Sequence, residues 1–219
     1  MARVNLARRA EIGREKRART RAQLMEGAKA LLAERPIEAV TVDDVVTAAA
    51  VAKGTFYYHF RDLEDLAATL ARDIAHGFDE LIRPGRLAFP DPLERVCRGL
   101  MAFLDKAIDD PRWGRLVLNG PAPAELGRSV RHNLTADLMA AREAGKLGLE
   151  EVELAADLVI GIWREVTRAI VEGRLAEGGV DTACAAMLRA LGLTRSEAKA
   201  VTARVRRKAT AAAGCGAVV

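Results

Sequence analysis

Apolar residues recur every three or four positions along most of this chain, which is the period of amphipathic helices. Between residues 41 and 60 the pattern predicts two short helices joined by a tight turn. The apolar residues of the first helix fall on one face: Val42, Val45, Val46 and Ala49. Thr41 is placed to cap this helix, and the acidic Asp43 and Asp44 lie in its first turn, where exposed N–H groups favour negative charge.

The second short helix has a polar and aromatic face. Val51, Phe56 and Phe60 can face inward, which leaves five side chains facing outward: Lys53, Thr55, Tyr57, Tyr58 and His59. Side chains of these types donate to phosphates, reach base edges and pack on thymine methyl groups. We therefore expect a helix-turn-helix that contacts double-stranded DNA.

The stretch from Thr41 to Leu66 resembles the N-terminal DNA-binding domain of the tetracycline-repressor (TetR) family of bacterial transcriptional regulators. The residues that match the family's recognition helix are Lys53, Gly54, Thr55, Tyr57, His59 and Phe60. The resemblance implies one helix before the motif, one after it, and then a variable helical ligand domain. The residues expected to bind DNA are Thr41, Lys53, Gly54, Thr55, Tyr57, Tyr58 and His59.

Four positions depart from the family pattern. Ala50 stands in the turn where glycine is usual, and Ala52 stands where a Ser or Thr usually caps the recognition helix. Leu63 replaces a phosphate-contacting lysine of many members, and Asp43 lies where some members have a basic residue. These departures leave the operator sequence open. They also leave an alternative function open: a helical ligand-binding or adaptor protein of the same fold that has lost specific DNA binding.

Length and composition set the fold class. With 219 residues and 50% hydrophobic content, the chain can bury the core of one large or two small domains. Alanine and leucine dominate and no segment alternates like a strand, so we expect an all-α fold of nine or ten helices. The predicted parts are a basic, flexible arm (1–16), the helix-turn-helix domain (17–62), a helical-bundle ligand-binding and dimerisation domain (63–208) and a flexible tail (209–219).

Several other classes of protein do not fit this sequence. The longest apolar run, from Leu158 to Trp163, is too short to span a bilayer, and the basic start lacks the apolar segment of a secretory signal. We therefore expect a cytoplasmic protein with no membrane partner. The three cysteines, Cys97, Cys184 and Cys215, are too scattered for a disulfide framework or a zinc site. Catalytic motifs are also missing, so we expect neither an enzyme nor a metal or cofactor.

Basic residues concentrate at the N-terminus, although the formal net charge of +4 is mild. Against only Glu11 and Glu15, this segment holds Arg3, Arg8, Arg9, Arg14, Lys16, Arg17, Arg19 and Arg21. Such an arm could follow DNA phosphates or enter a minor groove, or it could be a solvated leader.

The helix expected between Glu150 and Glu172 is apolar over most of its circumference, so it must be covered on more than one side. A second subunit could supply part of that cover, although a helix central to its own domain would show the same pattern. The expected homodimer interface comprises Leu158, Ile162, Val166, Ile170, Met187, Leu188 and Leu191. Two recognition helices about 34 to 36 Å apart would then reach successive major grooves of a pseudo-palindrome.

A small-molecule effector is expected in the C-terminal domain. Its candidate contacts are Met101, Phe103, Trp113, Leu116, His132, Met139, Trp163 and Glu165. A mostly apolar pocket with a few polar groups suits a mostly apolar molecule, while a plain core role for these residues is the competing interpretation. The sequence thus predicts a one-component regulator, a repressor that leaves its operator when the effector binds.

Overall fold

A computed structural model describes residues 2–86, 88–120 and 126–215. These residues form ten α-helices, a short 3₁₀ turn at Ile37–Ala39 and no strand, which confirms the expected all-α fold. The helices are α1 (Ala2–Leu32), α2 (Val42–Ala48), α3 (Lys53–His59), α4 (Leu63–Arg86), α5 (Pro92–Asp109), α6 (Pro111–Asn119), α7 (Leu126–Glu143), α8 (Val152–Val171), α9 (Gly179–Ala190) and α10 (Arg195–Cys215).

The first compact unit comprises Met1–Ala71 and Asn119–Pro121. Its core takes fully buried side chains from each of the first four helices: Leu24, Leu32, Val45, Phe56 and Leu66. Helix α1 crosses α2 closely at Gly27, where a Cβ atom would lie only 3.1 Å from the backbone nitrogen of Ala49. This unit continues two turns into α4, so it ends later than the expected domain boundary at residue 62.

The second compact unit comprises Arg72–Leu118 and Ala122–Val219. Helix α5 is its central element, and α7, α8, α9 and α10 all pack against it. The principal core of this unit includes Leu100, Met101, Leu104, Leu138, Ala155, Met187, Leu188 and Leu191. Because α5 is covered on nearly all sides, its residues are apolar around most of the helix.

Ion pairs join α5 to two of the helices that pack against it. Arg95 Nε donates to Asp137 Oδ1 at 2.7 Å, which joins α5 to α7. Arg206 on α10 donates to Asp105 Oδ2 at 2.7 Å and to Asp181 Oδ1 at 2.6 Å. One guanidinium therefore joins α10 to both α5 and α9.

Both ends of the chain are more helical than expected. Residues 2–16, expected to be a flexible arm, form the first half of α1, and α10 continues from Lys208 to Cys215. The reason is intrinsic propensity, since arginine, alanine and glutamate are strong helix formers and neither segment contains proline. Residues 216–219 of the expected flexible tail lie outside the described residues.

No helix among the described residues is both long enough and apolar enough to cross a membrane.

Candidate DNA-binding surface and aromatic cluster

The start of α2 is fixed by a reciprocal cap. Asp44 donates its backbone N–H to Thr41 Oγ1 at 3.2 Å, and Thr41 donates its own N–H to Asp44 Oδ2 at 2.9 Å. The hydroxyl of Thr41 also donates to Asp44 Oδ2, and these bonds hold the pKa of Asp44 below its ordinary value. The cap expected at Thr41 is confirmed, and it occupies the hydroxyl that was also expected to contact DNA.

The turn between α2 and α3 reflects two of the sequence departures. Ala50 has a φ of +53°, and it is the one non-glycine residue with positive φ in the described part of the chain. This left-handed conformation strains a residue that carries a Cβ atom. Ala52 takes the N-cap position of α3 without any side-chain hydrogen bond. The turn therefore forms, although neither Ala50 nor Ala52 is the residue type that would stabilise its position best.

The outer face of α3, Lys53, Thr55, Tyr57, Tyr58 and His59, is named here the recognition surface. Its two tyrosines are 54% and 65% exposed, although rings of this size are usually buried at least in part. Directly behind them, Phe56 is fully buried and Phe60 is 3% exposed. The two tyrosines thus face outward and the two phenylalanines inward, as expected, whereas Thr55, His59 and Val51 are all half-buried.

One basic residue of the recognition surface already has a partner within the protein. Lys53 Nζ lies 2.9 Å from Asp43 Oδ1, and this carboxylate holds the pKa of Lys53 above its ordinary value. Both side chains are more than half exposed, so the ion pair is weak and a DNA phosphate can compete for the ammonium group.

Helix α1 adds positive charge beside the recognition surface. Arg17 Nη1 lies 3.4 Å from the hydroxyl oxygen of Tyr58, and the guanidinium of Arg21 lies 5.0 Å from the ring centroid of Phe60. Partial burial, followed by the charges of Arg21 and Arg17, lowers the pKa of His59. The C-terminal end of the basic segment thus lies next to α3, which the sequence pattern alone did not indicate.

A second group of aromatic rings lies within the C-terminal unit. Phe103 on α5 is its centre: its ring centroid is 4.5 Å from that of Phe78, 4.6 Å from that of Trp113 and 4.5 Å from that of Trp163. We call these four residues the aromatic cluster. They come from α4, α5, α6 and α8, and Trp163 also packs against the principal core.

Helix α6 is held in place to present Trp113. Asp110 Oδ1 accepts the backbone N–H of Trp113 at 3.0 Å, and this bond lowers the pKa of Asp110. At Gly114 the helix lies so close to α8 that a Cβ atom would be 2.9 Å from Cγ1 of Val171. The glycine next to Trp113 therefore allows α6 to pack on α8 near the aromatic cluster.

The structure brings together only part of the expected effector-binding set. Phe103, Trp113 and Trp163 meet in the aromatic cluster, while Met101 lies in the principal core and Leu116 is buried. The remaining three, His132, Met139 and Glu165, are exposed on α7 and α8, so they are corrected to surface positions. Helical spacing alone could not decide which face of these helices turns inward.

The sequence-based set missed Phe78. It lies on the apolar stripe of α4, a helix from which no effector contact was expected. An aromatic residue among aliphatic ones on that stripe is the signal that could have indicated its role.

The expected dimer residues divide between two environments. Leu158 is 37% exposed, and Ile162, Val166 and Ile170 are half-buried against the principal core. Met187, Leu188 and Leu191 are fully buried within the protomer, so their assignment to an intersubunit surface is corrected to the principal core. Any second chain on these helices must use their outward faces instead.

Two family models match this chain. The model described as "Bacterial regulatory proteins, tetR family" matches residues 24–70, which include α2 and α3. The model described as "Tetracyclin repressor-like, C-terminal domain" matches residues 91–204, more than half of the chain.

The chain belongs to the TetR family. This is a family of transcriptional regulators rather than of enzymes, and its N-terminal model covers the recognition surface described above. The resemblance found in the recognition helix is therefore confirmed over most of the molecule.

A curated relative of this TetR-family protein is the HTH-type transcriptional repressor KstR2 of Mycobacterium tuberculosis. The two are 33% identical over 89 residues, which is 41% of this chain and 44% of the relative. The chain thus matches less than half the length of this repressor.

Solved structures resemble this TetR-family protein over most of its length. RolR in complex with resorcinol is 28% identical, with a TM-score of 0.66 and coverage of 87% of this chain and 96% of that one. A TetR-family transcription regulator from Shewanella sp. PV-4 has a TM-score of 0.67 at 18% identity and covers 80% of this chain and 99% of its own. The second likeness concerns the fold alone.

Proposed function

We propose that this protein is a dimeric, cytoplasmic repressor that binds a pseudo-palindromic DNA operator and leaves it when a small molecule enters the C-terminal unit. The observation that carries the proposal is the recognition surface, where Tyr57 and Tyr58 stand exposed above two buried phenylalanines. Rings held on a rigid base lose little conformational freedom on binding, and their hydroxyl groups can donate to phosphates or base edges.

Charge supports DNA as the partner. Arg17 and Arg21 flank the recognition helix, and the exposed Arg8, Arg9 and Arg14 extend the basic side of α1. Contacts with DNA phosphates displace bound counterions, so each such contact makes the affinity more sensitive to salt. The whole of α1, and not α3 alone, therefore contributes to the proposed interface.

The proposed dimer uses the outward face of α8. Leu154 and Leu158 are 46% and 37% exposed, one helical turn apart, and Gly161 continues the same face. A second copy of the chain would remove both leucines from water, and the glycine would allow close approach of the two helices. Two recognition surfaces in one dimer can then reach successive major grooves.

The aromatic cluster is the proposed effector site. RolR, which is 28% identical to this chain, was solved with resorcinol, a small hydroxylated aromatic molecule. Helix α4 contributes Phe78 to the aromatic cluster and its first turns to the N-terminal unit. We propose that effector binding acts through α4 on the spacing of the two recognition surfaces, a coupling typically of about 1 to 3 kcal/mol.

A gel shift with the DNA that flanks the protein's own gene tests the proposal. We expect retardation at low salt, loss of binding at high salt, and release by the effector. The alternative function, a ligand-binding or adaptor protein without specific DNA binding, gains support from the pairing of Lys53 with Asp43. A folded dimer that retards no DNA at low salt would favour that alternative.

The dimer face is tested separately by light scattering. Leu158→Glu should convert the dimer to a monomer, because a carboxylate would be buried without a partner. Ile108→Glu is the matched control, since Ile108 is 47% exposed but lies on α5, and it should remain dimeric. A Leu158→Glu protein that stays dimeric would refute this interface.

A further inference from the structure

Trp163 carries a polar group that the packing leaves without a partner. Its Nε1 atom is buried and has no hydrogen-bond partner within the described part of the chain. Buried indole N–H groups nearly always find an acceptor, because an unpaired donor loses its hydrogen bonds to water without replacement. An acceptor atom on a bound molecule would restore that bond.

The surroundings of this donor are aromatic. The ring of Trp163 meets that of Phe103 nearly edge to face, at 76° and 4.5 Å between centroids, and Phe103 packs in turn on Trp113. Trp113 and Trp163 are only partly buried, so some of their aromatic surface is not covered by the protein. Aromatic surface of this kind favours another flat ring in an offset or edge-to-face arrangement.

The charged group shown beside the aromatic cluster favours a neutral ligand. The four residues of the aromatic cluster carry no formal charge. Lys106 Nζ lies 5.9 Å from the Trp113 ring, but it is paired with Asp110 at 3.2 Å. Among the described residues, the cation–ring contact of the aromatic cluster is therefore already balanced by a carboxylate, and an uncharged ligand avoids the cost of desolvating a charge there.

We infer that the effector is an uncharged aromatic molecule with an oxygen acceptor, and that Trp163 Nε1 donates a hydrogen bond to that oxygen. The inference rests on the proposed function in that it takes the aromatic cluster as the effector site. It goes further by assigning the chemical class of the ligand and the residue that selects it.

Nuclear magnetic resonance can observe this hydrogen bond directly. The chain has two tryptophans, so its nitrogen-15 spectrum contains two indole N–H signals, which Trp113→Phe and Trp163→Phe assign. Phenol is the probe, and toluene is its control of nearly equal shape without the oxygen. We expect phenol to move the Trp163 indole proton downfield and to bind about tenfold more tightly than toluene, as one hydrogen bond allows.

The two variants separate the donor from the ring. Trp163→Phe keeps an aromatic ring but removes the N–H, so it should abolish the preference for phenol, while Trp113→Phe should retain it. An unmoved Trp163 signal with phenol, or a preference that survives Trp163→Phe, would overturn the inference. The wild-type spectrum gives this answer as long as one of the two variants folds and so assigns the signals.

Operator release is measured in parallel on the wild-type protein, so that the two proposals fail differently. Phenol that binds at Trp163 without releasing DNA contradicts the proposed function and supports the ligand class. Phenol that releases DNA while the Trp163 signal stays unmoved contradicts the ligand class and supports the proposed function.

Discussion

The aromatic residues of this chain lie almost entirely in two groups that use them in opposite ways. Near the N-terminus, Tyr57 and Tyr58 stand in solvent on the recognition surface, with Phe56 and Phe60 behind them. In the C-terminal unit, the aromatic cluster gathers three rings around that of Phe103. Phe89 is the one aromatic residue outside both groups.

The difference separates DNA binding from the stability of the fold. An exposed ring contributes little to the stability of the fold, so the two tyrosines are free to serve a partner. Rings packed at centroid distances near 4.5 Å bury much apolar surface and therefore contribute strongly to stability. Substitutions in the two groups should accordingly affect different measurements.

The largest expected effect is on the stability of the C-terminal unit. Phe103→Ala removes the ring that contacts all the others and should lower the free energy of unfolding by about 3 to 5 kcal/mol. Urea denaturation measures this change. Tyr58→Ala is the control, and a change beyond about 0.5 kcal/mol in that variant would contradict the division between the two groups.

Substitutions of the exposed tyrosines should instead weaken DNA binding. Tyr57→Ala should weaken operator affinity by about 1 to 3 kcal/mol if its ring and hydroxyl engage the duplex. Fluorescence anisotropy measures the affinity, and Tyr57→Phe separates the hydroxyl from the ring. Wild-type affinity in the alanine variant would remove Tyr57 from the interface.

Changes to the Lys53–Asp43 ion pair should alter the affinity for all DNA sequences to a similar extent. Lys53→Ala should lower the slope of log affinity against log salt by about one per subunit, because one phosphate contact is lost. Asp43→Asn should instead strengthen binding, since it releases Lys53 and removes a negative charge near the phosphates. Identical slopes in wild type and Lys53→Ala would mean that the ammonium group contacts no phosphate.

The smallest expected effect concerns the turn that supports the recognition surface. Ala50→Gly should stabilise the protein by about 0.5 to 1 kcal/mol, because glycine tolerates the φ of +53° that costs alanine about 1 to 2 kcal/mol. The matched control is Ala48→Gly, an exposed site in the last turn of α2 that should lose up to about 1 kcal/mol. Thermal unfolding of both variants gives the comparison, and equal losses would show that the turn is unstrained.

The recognition surface could be predicted from the sequence because it is local. Between Thr41 and Phe60, the cap, the turn and the buried face all depend on residues that are close together in the sequence. The contact of Arg17 with Tyr58 could not be predicted in this way, since 41 positions separate the two residues.

The aromatic cluster could be predicted only in part because four separate helices form it. The spacing of apolar residues indicates that helices have apolar faces, but it does not determine which of those faces meet. Met101 and Phe103 are two positions apart on α5, yet one lies in the principal core and the other in the aromatic cluster. Met187 and Leu188 were assigned to the wrong environment for a similar reason. An apolar helix face is equally compatible with a subunit interface and with the protomer's own core.

The central claim is that the recognition surface binds a duplex groove, and a hydroxyl-radical footprint tests it most directly. On DNA that flanks the protein's own gene, we predict two symmetric protected tracts about 34 to 36 Å apart, which the double variant Tyr57→Ala, Tyr58→Ala abolishes. Protection that is unchanged in the double variant, or no protection by the folded wild-type dimer at low salt, would contradict the claim.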